Sequence, residues 1–434
     1  MRSAALCLFL FAALIPAEAA ESAQTDQWTR VVSPHFELFT TAGEQTGRDA
    51  VQHFEKVRAF FEQASPVKFP SEFPARIIIF KNREQYQAYS PNAITIAYYT
   101  AGPQRDYIIM SEASPESYTL AVHEYLHLVV RRSGLRIPEW LNEGLADVYS
   151  TFRQVRDGIA VGDLLSNRMK DLDAEWLTFQ VLTDPVASSA ASKDPARAGI
   201  FYAESWALAH MLFLAPEYSS RFPQFVTALN QGKTSAEACE SAFGRSSDKV
   251  FEDLRNYFKR KKIYGTVFKT AIAKPDAQPA ASRVTEFESR LVLADLLVAL
   301  RKLEEAKREY TLLDQQQPDR GDVLQSLGYV AVLSHDVPSA ISYFEKAFAA
   351  GDADPQMCFQ LAMFEREAKQ PPEKIIPVLE RAVRSRPDYI DAVVQLGLTR
   401  IAARQFEAAI DTLTSIPNVT PQYAPPLFSG LVSY

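Results

Sequence analysis

Between Trp28 and Thr40 apolar and polar residues alternate, with Val32, Phe36, Leu38 and Phe39 as the inward set, which predicts a β-strand. The period then lengthens. Val51, Phe54, Val57, Phe60 and Phe61 fall at helical spacing and predict a helix from about Glu44 to Ala64. Ala75 to Phe80 is an unbroken Ile-rich run, the pattern of a strand covered on both faces. Ile94 to Thr100 and Tyr107 to Met110 predict two more strands, separated by the turn residues Ala101-Gly102-Pro103. Helical spacing dominates beyond residue 110. The first part of the chain, residues 21–266, is therefore expected to be an α+β domain with a small mixed sheet.

Residues 267–285 interrupt the periodicity. Their centre, Lys269 to Ser282, reads KTAIAKPDAQPAAS and is expected to be an interdomain linker. Over residues 286–422 small residues recur at Ala294, Gly328, Ala362 and Gly397, spaced by 34, 34 and 35. Ala306, Ala340, Ile375 and Ala409 follow each of these by 12 or 13, and the units end near Pro318, Asp352, Pro387 and Pro421. A 34-residue period, with small residues where paired helices cross and a proline at the end of the unit, is similar to the tetratricopeptide repeat (TPR). It predicts an all-α solenoid, followed by a tail over residues 423–434. Leu313 and Ile416 stand where Ala347 and Ala382 supply the second small residue, so the repeat is degenerate, and an irregular helical bundle is the alternative.

The first twenty residues carry Arg2, an apolar stretch from Ala4 to Ile15, the breaker Pro16 and small residues around Ala17-Glu18-Ala19. They are expected to be a signal peptide, so the mature chain would be periplasmic or secreted with no stable membrane span; an uncleaved anchor is the alternative. Of the three cysteines only Cys239 and Cys358 lie beyond this segment, and two distant cysteines are no disulfide framework. A net charge of -7 gives no global attraction for nucleic acid, and the short basic run Lys259 to Lys262 suits a solvated helix end.

The candidate chemistry lies in Thr119 to Val130, TLAVHEYLHLVV, an apolar helix whose strongly polar members are His123, Glu124 and His127. Burying three such groups without partners would cost several kcal/mol. At i and i+4 the two imidazoles leave one helical face a turn apart, as adjacent ligands of a tetrahedral metal require, and Glu124 beside them can polarise a water. Gly134 can close this helix with a left-handed turn and Pro138 can open the next. If the two helices fold back antiparallel about residue 135, Glu143 comes level with His127 as a third ligand. Asp147, one turn on, could then accept a hydrogen bond from a ligand histidine.

HEYLH followed sixteen residues on by the glutamate of WLNEGLAD resembles the gluzincin (MA-clan) zinc metallopeptidases. The likeness is strongest to bacterial peptidase-MA-like proteins, which often join such a domain to tetratricopeptide repeats. It spans roughly residues 28–265 and is specific only over 119–150. The resemblance implies a zincin-like catalytic domain and one Zn2+ per chain held by His123, His127 and Glu143. It also implies Glu124 as general base and Asp147 as the aspartate behind a ligand histidine. Relatives often carry an oxyanion-stabilising tyrosine or histidine on a later helix; Tyr202 matches that position best, with a core tyrosine as the alternative, while His210 deeper in that helix reads as packing. The strand Ala97 to Gly102, with Tyr98 and Tyr99, is the candidate edge for an extended substrate. The expected function is an exported zinc peptidase acting on peptide or protein substrates, with repeats that bind substrate or a protein partner. The alternative is a periplasmic repeat scaffold with an inactive peptidase-like domain.

Overall fold

A computed structural model describes residues 27–64, 74–103, 105–173, 175–259, 265–270, 278–351 and 354–416. The expected signal peptide and tail lie outside these residues. The first sheet contains β1 (Thr29–Val32), β2 (Phe36–Thr40), β3 (Ala75–Ile79), β4 (Ala97–Ala101) and β5 (Asp106–Met110). A second, three-stranded sheet contains β6 (Arg153–Val155), β7 (Gly158–Val161) and β8 (Thr266–Phe268). The first sheet is completed by β9 (Ala280–Arg283), and its order is β4-β5-β3-β2-β1-β9. β2, β3 and β5 run parallel, whereas β4, β1 and β9 are antiparallel to their neighbours.

The expected single strand from Trp28 to Thr40 is two. Ser33-Pro34 breaks it into a tight hairpin, closed by the Ser33 amide donating to the Phe36 carbonyl at 2.9 Å. The break changes the inward set, so Val31 is buried in place of Val32. β3 lies between two parallel neighbours and is covered on both faces, which accounts for its Ile-rich run. Ile77 and Ile79 pack with the helices, and Ile78 with the opposite layer.

The helices of this part are α1 (Glu44–Ala64), α2 (Arg83–Gln87), α3 (Pro115–Ser133) and α4 (Glu139–Ser150), followed by α5 (Ser166–Asp171), α6 (Phe179–Thr183), α7 (Pro185–Lys193) and α8 (Ala198–Leu214). After them come α9 (Pro216–Ser219), α10 (Phe222–Asn230), α11 (Ser235–Phe243) and α12 (Ser247–Lys259). α1 buries Val51, Phe54, Val57, Phe60 and Phe61 against one face of the sheet, in one core with Tyr125 of α3.

Four helix pairs follow: α13 (Glu286–Ala299) with α14 (Leu303–Gln316), α15 (Gly321–Leu333) with α16 (Val337–Ala349), α17 (Pro355–Glu367) with α18 (Pro372–Ser385), and α19 (Ile390–Ala402) with α20 (Phe406–Thr414). Each pair sets its small residue at the crossing. In the second pair the Phe344 ring occupies the place a side chain at position 328 would need, 2.3 Å from a Cβ added to Gly328.

The segment 267–285, expected as a linker, contains the end of β8 and all of β9. β9 pairs with β1 as the outer strand of the first sheet, and α13 lies across the face of that sheet opposite α1. Val292, Leu296 and Ala299 of α13 share a core with Phe39, Ile78, Phe80, Tyr107 and Ile109. Buried Arg76 of β3 bonds Glu37 of β2 at 2.8 Å and Asp295 of α13 at 3.2 Å. The repeats thus begin as a layer of the sheet domain.

Candidate metal centre

α3 starts where the Ser114 hydroxyl accepts a bond from the Ser117 amide and Pro115 occupies the first turn. It ends at Gly134, whose φ of 67° lies in the left-handed region that glycine adopts without strain. The chain then reverses and α4 packs along α3. Within the sheet domain α4 also lies against α8, and Gly144 permits that approach: a Cβ there would stand 2.1 Å from the Ser205 carbonyl oxygen.

This packing brings together the three residues expected as ligands. The Glu143 carboxylate spans both imidazoles, with Oε2 3.4 Å from Nε2 of His123 and Oε1 3.6 Å from Nε2 of His127. One ligand atom from each of the three lies within 4.8 Å of the others. Ligands about 2.0–2.1 Å from a tetrahedral ion sit about 3.3 Å apart; the two Glu143–imidazole separations are close to that spacing, and a His2Glu donor set is one that zinc takes.

Behind the histidines, Oδ1 of Asp147 lies 3.0 Å from Nδ1 of His123, a close ion-pair contact though not aligned as a hydrogen bond. Asp147 is 5% exposed, and its other oxygen accepts from Nε of Arg168 at 2.6 Å. Nδ1 of His127 is buried with no hydrogen-bond partner among the described residues. Burial by itself would lower the His123 pKa, but the Asp147 and Glu143 carboxylates outweigh it and push it up to about 10. The pocket therefore favours positive charge where the three side chains meet.

Glu124 shares α3 with both histidines and is partly buried. Burial raises its carboxyl above the usual range despite the opposing effect of His123 and His127. Its Oε2 accepts a bond of 3.0 Å from the Tyr99 amide. Tyr99 lies in β4, one of the two outer strands of the sheet among the described residues, so the candidate edge strand reaches the side chain expected as base.

Tyr202 of α8 stacks against Arg168, with the guanidinium carbon 5.1 Å from the ring centroid. Its hydroxyl pKa is raised by burial first, then by the Glu143 and Glu139 carboxylates, and the guanidinium it stacks on is the one that bonds Asp147. His210 does not join it. Fully buried, it meets the Gly162 carbonyl through Nε2 at 2.9 Å and the Tyr257 hydroxyl through Nδ1 at 3.2 Å. Arg168 and the Tyr99 amide were not expected from the sequence, because both reach the site from distant segments. Arg131 was within reach: it follows His127 by four, the same interval that picks out the histidine pair.

Compared by sequence, the chain matches no family model and no curated protein. Among solved structures it is similar to YrrB, a TPR protein with an unusual peptide-binding site, at 23% identity and TM-score 0.30 over 33% of this chain and 74% of that one. It is also similar to MamA, at 17% identity and TM-score 0.29 over 34% of this chain and 80% of that one. Yeast Tom70 is similar at 12% identity and TM-score 0.28, over 74% of this chain and 59% of that one. The C-terminal helices are tetratricopeptide-type pairs by their own 34-residue phase and crossings. Among the described residues, no helix is long and apolar enough to cross a membrane.

Proposed function

We propose that the chain is a metal-dependent peptidase, exported on residues 1–20, that holds one zinc ion per chain through His123, His127 and Glu143. The observation that carries this reading is the Glu143 carboxylate spanning both histidines of one helical face, at 3.4 and 3.6 Å. When bound, zinc would supply Lewis-acid polarisation of a peptide carbonyl and a lowered water pKa. The protein's own groups do the rest. Glu124 holds a proton on its carboxylate and passes it to the leaving amine, and a raised pKa suits a group that must both take and return it. Asp147, fixed by Arg168, orients the His123 ring. The Tyr202 hydroxyl donates to the oxyanion that develops on the carbonyl oxygen. The β4 edge offers backbone groups to an extended peptide.

The test is casein or peptide-library cleavage by the parent and by Glu124→Gln, with zinc measured in both. Zinc in both and cleavage by the parent alone is expected; turnover retained by the variant overturns the role of Glu124.

The array of four helix pairs supports a second reading, a scaffold that binds peptides or proteins through its repeats beside an inactive metal site. Zinc in both proteins with cleavage by neither is the outcome that favours it.

A further inference from the structure

The α3 face that carries the two histidines continues past them in both directions. Leu120, one turn before His123, is 39% exposed. Arg131, one turn after His127, has a side chain that is 56% exposed. The metal-ligand face therefore has an apolar end and a cationic end.

Arg131 is tied to the same edge strand as Glu124. Its Nη1 donates to the Tyr99 hydroxyl at 2.6 Å and to Oδ1 of Asp106 at 2.8 Å. One residue of β4, Tyr99, thus touches Glu124 through its amide and Arg131 through its side chain. The neighbouring Arg132 is a different case, since its Nε bonds the other Asp106 oxygen at 2.7 Å and its side chain is only 21% exposed. Nε and Nη2 of Arg131 make no hydrogen bond to a described residue. A planar guanidinium, held on one nitrogen and open on the other two, presents the paired donors that a carboxylate accepts side by side.

We infer that Arg131 is a specificity determinant: it binds a carboxylate of the substrate, so the cleft prefers a peptide with an acidic residue at the Arg131 end. The preference is asymmetric about the scissile bond, because the opposite end of the same face presents Leu120. Tyr99 and Asp106 position the guanidinium. This inference rests on the peptidase reading, in that it takes the substrate to lie along β4 past the His123–His127 face.

The experiment has a turnover arm and a binding arm. In the first, zinc-loaded parent, Arg131→Gln and Arg131→Lys act on a peptide library and on a matched pair of peptides differing in one Glu-to-Gln substitution. The parent is expected to favour Glu on one side only of the bond it cuts. Arg131→Gln is expected to lower kcat/KM for the Glu peptide by about twofold to fivefold, mostly through KM, as one solvent-accessible charge-assisted pair is lost. The loss on the Gln peptide should be clearly smaller than that on the Glu peptide, and Arg131→Lys should recover part of the preference. Equal losses on both peptides, or none on either, overturn the proposal. In the second arm, the matched peptides are bound to Glu124→Gln with and without Arg131→Gln. Selective weakening of the Glu peptide without any turnover by the parent would reject the peptidase reading while retaining Arg131 as a carboxylate site. Absence of selective binding rejects the role of Arg131 whether or not the parent cleaves.

Discussion

Asp147→Asn is the most informative perturbation away from the proposed ligands themselves. Asp147 is 5% exposed and serves two cationic or donor groups at once, His123 at 3.0 Å and Arg168 at 2.6 Å. An asparagine keeps the shape but carries a single acceptor oxygen, so it can face His123 or Arg168 and not both. Losing one buried charge-assisted interaction costs about 1.5–3 kcal/mol. For a domain of this size that corresponds to a fall in Tm of roughly 3–12 °C for the metal-free protein. The second consequence falls on the metal. Removing the carboxylate behind a ligand histidine typically weakens metal binding about 10- to 100-fold, or about 1.4–2.8 kcal/mol. Zinc affinity measured by competition with a chromophoric chelator, beside thermal unfolding with and without metal, separates the two effects. An affinity within about twofold of the parent, with unchanged Tm, would refute the claim that Asp147 orients a ligand.

Other predictions concern the frame around the site. Glu204 is fully buried, accepts a bond from the Leu177 amide at 2.8 Å, and burial pushes its carboxyl up to about 8. The folded chain therefore keeps a proton that the unfolded chain releases, so stability should fall by about 1.4 kcal/mol per pH unit from the ordinary Glu range up to about pH 8. Glu204→Gln should flatten that slope in denaturant titrations from pH 5 to 8; an unchanged slope contradicts the assignment. Gly144→Ala should cost about 3 kcal/mol or more and weaken zinc binding, because its Cβ meets backbone that no rotamer can relieve; a variant with parental Tm would show that the α4–α8 contact is looser. A chain truncated before Glu286 should bind a hydrophobic dye strongly or precipitate, since α13 covers Ile78, Phe80 and Ile109. A soluble, dye-silent fragment would mean that the repeats are separable from the sheet.

The sequence carried the parts of the fold set by local pattern. The boundaries of α1, the Ile-rich run of β3 and the 34-residue phase of the repeats follow from spacing alone. The place of Glu143 beside His127 was legible because Gly134 and Pro138 mark a tight reversal, which fixes what stands opposite His127. β9 was not. Its sequence, Ala-Ala-Ser-Arg, has neither β-branched nor aromatic residues, and its pairing with β1 is made by backbone groups that any sequence supplies. Its place in the sheet, and that of α13 over the sheet, make the described C-terminal end of the supposed linker part of the domain. Arg168 and the Tyr99 amide escaped for a related reason: nothing local to α5 or β4 encodes a carboxylate brought close by tertiary packing.

The measurement that tests the central claim most directly is the zinc content of the purified full chain after dialysis against buffered trace metal, beside Glu143→Ala and His127→Ala. The account predicts one zinc per parent chain and a near-complete loss in each variant, because each removes one of the three groups that meet in the cluster. A parent without zinc, or variants that keep it in full, would contradict the assignment of His123, His127 and Glu143 as a metal centre.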